Sequence, residues 1–373
     1  MKNSYHNRRQ INWGWRRCLA VLLLLGFCAG GMLSGCSDAQ AESEEVAQAE
    51  AFQVTQAESD QVAQAAAQPE QVAQAEADEM LMAKRKRKKH YSNQQQSADA
   101  PGLVNAERIA PPAPGTLRLA SWNMHDLFDT IDDANKDVVL TPQEYSQKLA
   151  VLAAVLNKMR ADIVGVQEVE NIGCLRDLAK RAGYPYCLLV EGNDTMRGID
   201  VGVLSKVPIK NYVTHAQDSC PGSGRSYRFS RDCLEVHFDH PSRLTMLVNH
   251  FKSKRGSNDD VSAAQRQAQA NRVRNIAASL QKYPVIIVGD LNDEPDSKAL
   301  SPLVRGAGLH DVLSWMGASR VSFKTRNFSS ALDYLILNDL LYSKMIDRSA
   351  RIVVGEPVRI ASDHRPVIVD VRL

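Results

Sequence analysis

From about residue 116 to the end of the chain, short apolar runs of strand length alternate with stretches whose apolar positions repeat at helical spacing. Leu117–Leu119, Ile163–Val166, Tyr186–Val190, Val201–Leu204, Leu234–Phe238, Leu244–Val248, Val285–Val288, Leu332–Leu337 and Pro366–Val371 read as strands. Several are apolar throughout, as expected of strands covered on both faces. Thr141-Pro142-Gln143-Glu144 supplies an N-cap, a first-turn proline and a capping-box glutamate. Tyr145, Leu149, Leu152, Leu156 and Met159 follow on one face, so a helix is predicted there. A second helix is expected near Leu175–Ala182, ended by Gly183. A third is expected near Val261–Leu280, with Val273, Ile276, Ala277 and Leu280 on its apolar side. Strand pairs alternating with helices predict an α+β fold of mixed sheets covered by helices, not a simple parallel barrel.

The N-terminal part has another texture. Arg8, Arg9, Arg16 and Arg17 precede an apolar stretch from Leu19 to about Met32, then Leu33-Ser34-Gly35-Cys36. Residues 1–35 read as an export signal; an uncleaved membrane anchor is the alternative, which the short apolar stretch disfavours. Small residues before Cys36 resemble the bacterial lipoprotein signal, which implies acylation of Cys36 and a membrane partner through that anchor. By the same resemblance, Ser37 points to the outer membrane of a bacterial envelope. Residues 36–115 are rich in Ala, Gln and Glu, with Val-Ala/Thr-Gln-Ala recurring from Val46, Val54, Val62 and Val72. Too few large apolar residues are present to bury a core, so this segment reads as a tether. Its basic run at 84–89 is either a solvated linker charge or a contact for nucleic acid or anionic envelope polymers. Pro111-Pro112-Ala113-Pro114-Gly115 marks the expected boundary, leaving residues 116–373 for one large domain.

The whole chain carries a net charge of only +2, which gives no partner bias. Four cysteines fall in the expected domain: Cys174, Cys187, Cys220 and Cys233. In an exported domain the even number predicts two disulfides. Equal separations favour Cys174 with Cys187 and Cys220 with Cys233, although sequence allows all three pairings. No CxxC or HxxxH spacing supports a zinc site.

The strand tips carry the chemistry. Asn123, Glu168, Asn249-His250 and Gly289-Asp290-Leu291-Asn292 each end an apolar run, and Asp333, Asp363 and His364 add carboxylates and an imidazole. Polar tips on separate strands imply one shared site, with the mixture that metal-assisted phosphate-ester hydrolysis requires.

Seven ordered motifs, Ser121-Trp122-Asn123, Gln167-Glu168, Arg197–Ser205, Asn249–Lys254, Gly289–Asn292, Leu332-Asp333-Tyr334 and Ser362-Asp363-His364, resemble those of the deoxyribonuclease I-like endonuclease/exonuclease/phosphatase superfamily. The Asn249–Lys254 segment is most similar to bacterial extracellular nucleases. The resemblance implies two packed β-sheets flanked by helices, with the site at one end of the sandwich, and a Mg²⁺ or Mn²⁺ cofactor. It places Glu168, Asn123 and Asp363 at the metal, and Asn123, Asn292, Arg197 and Lys252 at phosphate. The catalytic set it implies is His250, Asp290, Asn292, Asp333 and His364. His364 is then a general base or a phosphate-orienting imidazole aligned by Asp333, and His250, with Asp200 as candidate partner, protonates the leaving oxygen. His125 stands where some relatives carry an additional acidic metal ligand. Lys254, Arg255 and Arg266 join Arg197 and Lys252 as candidate contacts for flanking phosphates.

The expected function is a metal-dependent nuclease acting on DNA or RNA outside the cytoplasm, with no protein partner implied. The alternative enzyme is a phosphoesterase acting on lipid head groups or inositol phosphates, similar to a sphingomyelinase. Phosphoinositide phosphatases carry tryptophan before the glycine-aspartate and arginine after the asparagine, where this chain has Val288 and Asp293. Repair enzymes for abasic sites usually have tyrosine at His250. A catalytically inactive binding module is the remaining alternative, and the intact acid, amide and imidazole set argues against it.

Overall fold

Thr141 caps the first long helix, α1 (Pro142–Met159), as its sequence predicts. The Thr141 hydroxyl accepts from the Glu144 amide (3.3 Å), and the Glu144 carboxylate accepts from the Thr141 amide (2.9 Å). Helix α2 (Ile172–Ala182) ends at Gly183 in the left-handed conformation, and α3 (Asp259–Ser279) covers the third expected stretch. The computed structural model describes residues 100–132, 138–222, 224–254 and 259–373, without the Asp259 side chain. The expected signal with Cys36, the tether up to residue 99 with its basic run, and Arg255 lie outside the described residues. Among the described residues no helix is long and apolar enough to cross a membrane.

The strands are, in order, β1 (Leu103–Asn105), β2 (Leu117–Leu127), β3 (Ile163–Val169), β4 (Tyr186–Val190), β5 (Asp200–Ser205) and β6 (Ile209–Val213). Then come β7 (Cys220–Pro221), β8 (Ser226–Tyr227), β9 (Cys233–Phe238), β10 (Thr245–His250), β11 (Val285–Asp290) and β12 (Leu309–Asp311). The last are β13 (Phe323–Lys324), β14 (Ser329–Ser330), β15 (Asp333–Asn338), β16 (Arg351–Val354) and β17 (Val367–Val371). A seven-stranded sheet runs β1-β16-β17-β2-β3-β5-β4, and a six-stranded sheet runs β12-β15-β11-β10-β9-β6. Both are mixed: β1 with β16, β2 with β3 and β10 with β11 are parallel, and the other pairs in these sheets are antiparallel.

Period-two alternation sorts the apolar residues into layers. Leu119, Ile163, Val201 and Val203 from the first sheet meet Val236, Met246, Val248, Ile286, Val288 and Leu335 from the second in one inter-sheet core. The opposite faces pack under helices: Trp122, Val164 and Val166 under α1 and α2, and Leu247, Ile287 and Ile336 under α3. Gly165 leaves room for the facing sheet, since a Cβ there would stand 2.5 Å from Cγ2 of Val288. The result is the helix-flanked two-sheet sandwich that the resemblance implied.

Two expectations are corrected. The folded part begins before Thr116: β1 pairs in parallel with β16, and Leu103, Ala106 and Ile109 are buried in the cores. A three-residue edge strand amid proline and alanine is too short to stand out from the tether. The expected disulfides are not formed, because Cys174, Cys187, Cys220 and Cys233 are all free thiols. Three of them serve as small core fillers. Burial pushes the Cys174 thiol up to about 12 and Cys220 to about 11, away from the reactive thiolate.

Candidate active site

The alternation that fills the inter-sheet core with apolar side chains places polar ones at its end. On β10, Met246 and Val248 face the other sheet, and so does His250. On β11 the series is Ile286, Val288, Asp290; on β15 it is Leu337, Leu335, Asp333. His250, Asp290 and Asp333 are register partners on three adjacent strands. Asn123 ends the inward series of β2, next to Gln167 of β3. Gly289 has φ 139°, and a Cβ there would stand 1.9 Å from the Asn249 carbonyl, so only glycine allows β11 to turn here.

Asp290 is the hub. Its Oδ2 accepts from Asn123 Nδ2 (3.2 Å) and lies 3.6 Å from Nε2 of both His250 and His364, while Oδ1 accepts from the Asn292 amide (2.9 Å). Burial raises its pKa to about 7, with the Asp333 and Glu168 carboxylates adding to the rise and His364 opposing it. His364 Nδ1 is 2.9 Å from Asp333 Oδ2. Burial works against charging this ring, but the Asp333 and Asp290 carboxylates outweigh it and carry its pKa up to about 10. The His364 backbone is pinned as well, since its amide donates to Ser362 Oγ (3.0 Å) and its carbonyl accepts from Trp122 Nε1 (3.1 Å).

His250 has the opposite bias. Burial, then the Arg231 and Arg197 guanidinium groups, push its pKa well below the ordinary value, so the ring is neutral. Its Nε2 lies 3.8 Å from Glu168 Oε1, and its Nδ1 makes no hydrogen bond within the protein. Asp200 is therefore not its orienting partner; Asp200 accepts from the Gly192 amide instead (2.7 Å).

Glu168 has φ 61°, an unfavourable conformation for this residue that turns the carboxylate into the site. Although burial opposes ionisation, His250, Arg197, His364 and the Asn123 amide hold it well below the usual carboxylate range. Arg197 ion-pairs with Asp126 (2.6 Å) and lies 3.5 Å from Glu168 Oε2. Asn292, with φ 53°, donates through Nδ2 to the Phe251 carbonyl (3.2 Å). Asp363 faces His125 Nδ1 at 3.4 Å. Lys252 is half-buried beside Phe251, and its amide donates to Gln269 (3.2 Å). Arg266 is not a phosphate contact: it is buried, bonded to Asp293 (2.8 Å) and to the Lys252 carbonyl (3.1 Å). Lys254 also pairs with Asp293, at 2.6 Å.

Three residues of the site were not singled out from the sequence. Asp126 is carried in by a β-bulge between Asn123 and Leu127, with His125 and Asp126 both at positive φ, and its amide donates to Glu168 Oε2 (3.2 Å). Burial and Glu168 raise its pKa. Arg231 is buried and ion-paired with Asp194 (2.6 Å), and it contributes to the field that keeps His250 neutral. Lys148 of α1 reaches the carbonyls of His125 (2.8 Å) and Ala361 (3.1 Å), on the side where Asp126, Asp363 and Glu168 gather. The sequence signal for Asp126 was a charged residue extending an apolar strand. For Arg231 it was an arginine at the start of one.

A hard divalent cation fits this donor set. Glu168 is held ionised, Asp126 and Asp363 stand on the same side of the site, and burial, with neighbouring carboxylates adding to it, raises Asp126 and Asp290, so hard oxygen donors with few compensating cations gather here. The tighter group of Asp129, Glu170 and Cys174 has a structural use. Glu170 accepts from the Asp129 amide (2.6 Å), and Asp129 accepts from Asn171 Nδ2 (2.9 Å) at the start of α2.

The human Nocturnin catalytic domain has the same fold, with a TM-score of 0.50 at 16% identity, over 69% of this chain and 95% of that one. Also similar are a humanized D. rerio TDP2 (TM-score 0.48, 21% identity, 69% and 98% covered) and an endonuclease/exonuclease/phosphatase from Beutenbergia cavernae (0.47, 19%, 69% and 72%). No curated protein sequence matches the chain significantly. The sequence model of the Endonuclease/Exonuclease/phosphatase family matches residues 118–312, more than half of the chain and a span that holds Asn123, Glu168, His250 and Asp290, and the protein belongs to that family.

Proposed function

We propose that this member of a phosphodiester hydrolase family is a Mg²⁺- or Mn²⁺-dependent nuclease. The observation that carries the reading is the continuous series Asp333, His364, Asp290, His250, with contacts of 2.9, 3.6 and 3.6 Å, beside the ionised Glu168. Asp290, with a pKa of about 7, is poised to accept the proton of an attacking water at neutral pH. Of the two roles that the resemblance offers for His364, the base requires a neutral ring. The clamped imidazolium is suited instead to donate from Nε2 to a phosphoryl oxygen as charge develops there. His250 is too weakly basic to store the leaving group's proton, and its Nε2 serves as a neutral hydrogen-bonding group. Glu168, with Asp126 and Asp363, would hold the metal, Asn123 orienting Asp290 beside it. When bound, the cation supplies Lewis-acid polarisation of the phosphoryl group. Arg197 and Lys252 flank this centre as phosphate contacts.

A nucleic acid suits the site better than an inositol polyphosphate, because the position after Asn292 holds the buried Asp293, locked by Arg266 and Lys254. The arginine that phosphoinositide phosphatases carry at that position is therefore absent from this site. The basic, apolar and Cys36 run supports lipid anchoring in a bacterial envelope as part of the same proposal, and palmitate labelling should disappear in Cys36→Ala. For the chemistry, folded His364→Ala should lose about 10²- to 10⁴-fold in plasmid turnover, the span typical of acid–base groups. Wild-type turnover in that variant would overturn the assignment.

A further inference from the structure

Beside the His364 ring lies a small hairpin that the chemistry above leaves unused: β13 and β14, joined through Thr325, Arg326, Asn327 and Phe328. It is built directly onto the catalytic residues. Ser322, just before it, accepts through its hydroxyl from the amides of Leu332 (3.0 Å) and Asp333 (2.9 Å). Phe323 forms a β-bridge with His364, and the Lys324 amide donates to the Asp363 carbonyl (2.9 Å). The tip is closed by the Thr325 amide donating to the Phe328 carbonyl (2.9 Å) and the Phe328 amide donating to Thr325 Oγ1 (3.2 Å). Phe328 is thus presented on a braced turn, which limits the ordering cost of binding to it.

The rings form a path outward from the catalytic imidazole. Phe323 packs on His364 with centroids 4.8 Å apart, and Phe328 packs on Phe323 at 6.0 Å and 57°. Phe323 is half-buried, whereas Phe328 is 57% exposed, and the exposed cations Lys324 and Arg326 sit on the same hairpin. An exposed aromatic face next to positive charge, two ring contacts from a phosphate-handling histidine, is the arrangement that holds a base while its backbone is held by cations. Bases in a closed duplex cover one another's faces and offer only their edges. We propose that Phe328 is a stacking platform for an unpaired base of the strand whose phosphate lies at His364, so that single strands and frayed ends are engaged in preference to closed duplex. This inference rests on the nuclease reading. A lipid surface is the competing occupant, but acyl chains give no reason for a ring-to-ring path to His364.

The test uses the full chain and fluorescence anisotropy in EDTA, with a labelled single-stranded oligonucleotide and a closed hairpin duplex, followed by kcat and KM with Mn²⁺ on the single strand. Phe328→Ala should weaken single-strand binding roughly 5- to 150-fold and change duplex binding less than about twofold. KM should rise with kcat kept, and Phe328→Trp should restore affinity where Phe328→Leu does not. Equal effects on both oligonucleotides, or none, overturn the inference and leave the nuclease reading intact. Weaker partitioning of Phe328→Ala than of the parent into phosphatidylglycerol vesicles, with oligonucleotide affinity unchanged, overturns it in favour of a lipid contact. A parent protein that neither binds nor cleaves oligonucleotides removes both readings.

Discussion

Asp333→Asn keeps the shape of the side chain and removes a charge 2.9 Å from Nδ1 of His364. With the carboxylate in place the ring's pKa is about 10, so at neutral pH the imidazolium is essentially fully populated. Burial is the largest influence on this ring and acts the other way. Without Asp333 it should carry the pKa well down from about 10, against the remaining pull of the Asp290 and Asp363 carboxylates. Each unit by which the pKa falls below the assay pH removes tenfold of the cation, so turnover at alkaline pH should fall by roughly 10-fold or more. The assay is turnover on plasmid DNA at saturating Mn²⁺ from about pH 5 to about pH 9, plotted as the ratio of variant to parent, with circular dichroism confirming the fold. That ratio should recover toward acid pH as the ring regains its proton. The lower Asp290 pKa that follows from losing Asp333 moves the ratio in the same direction. His364→Ala combined with Asp333→Asn should be little worse than the worse single change, because the pair acts as a unit. A deficit that is constant with pH, or strictly multiplicative losses in the double variant, would refute this account of the pair.

EDTA should abolish hydrolysis and Mg²⁺ or Mn²⁺ should restore it; Glu168→Gln should raise the metal concentration needed for half-maximal rate, and unchanged metal dependence would remove Glu168 from the site. A stability prediction concerns Glu235, whose carboxylate accepts from Nε2 of both His215 (3.1 Å) and His237 (2.6 Å). Despite burial, these imidazoles pull Glu235 down to about 2, and the Glu235 and Asp218 hydrogen bonds raise His215. The lowered carboxylate contributes stability above its ordinary pKa of 4.5, and the raised imidazole contributes below its ordinary 6.5. Glu235→Gln should therefore lower Tm most between those two values and less as pH rises through the raised His215 pKa, and a loss of equal size near pH 9 would contradict the linkage.

The layers and the hub of the site could be read in the sequence because period-two burial and strand-end polarity are local signals. Val285–Val288 followed by Gly289 and Asp290 specifies a buried strand, its turn and the central carboxylate of the candidate site within six residues. The parts that were missed depend on tertiary context. A β-bulge, not its spacing from Asn123, brings Asp126 to Glu168, and no local pattern reports two consecutive non-glycine residues at positive φ. Arg231 reads as an ordinary surface cation until the packing around Asp194 and Phe251 buries it. β1 has too few residues to carry a period, and its partner β16 lies at the far end of the chain. The cysteines were misread because equal spacing says nothing about whether two thiols face each other. The charge states of the two histidines depend on which carboxylates and guanidinium groups the fold places around them, which residue type alone does not report.

The central claim, that this site hydrolyses nucleic acid with a divalent metal, is tested most directly by one substrate panel. The full chain and its Glu168→Gln variant are incubated with Mg²⁺ or Mn²⁺ and plasmid DNA, RNA, sphingomyelin or inositol phosphates, and product formation is followed over time. The parent should cleave DNA or RNA only with metal, severely less in Glu168→Gln, and leave sphingomyelin and inositol phosphates intact. Hydrolysis of a lipid head group or an inositol phosphate while both nucleic acids stay whole would contradict the claim.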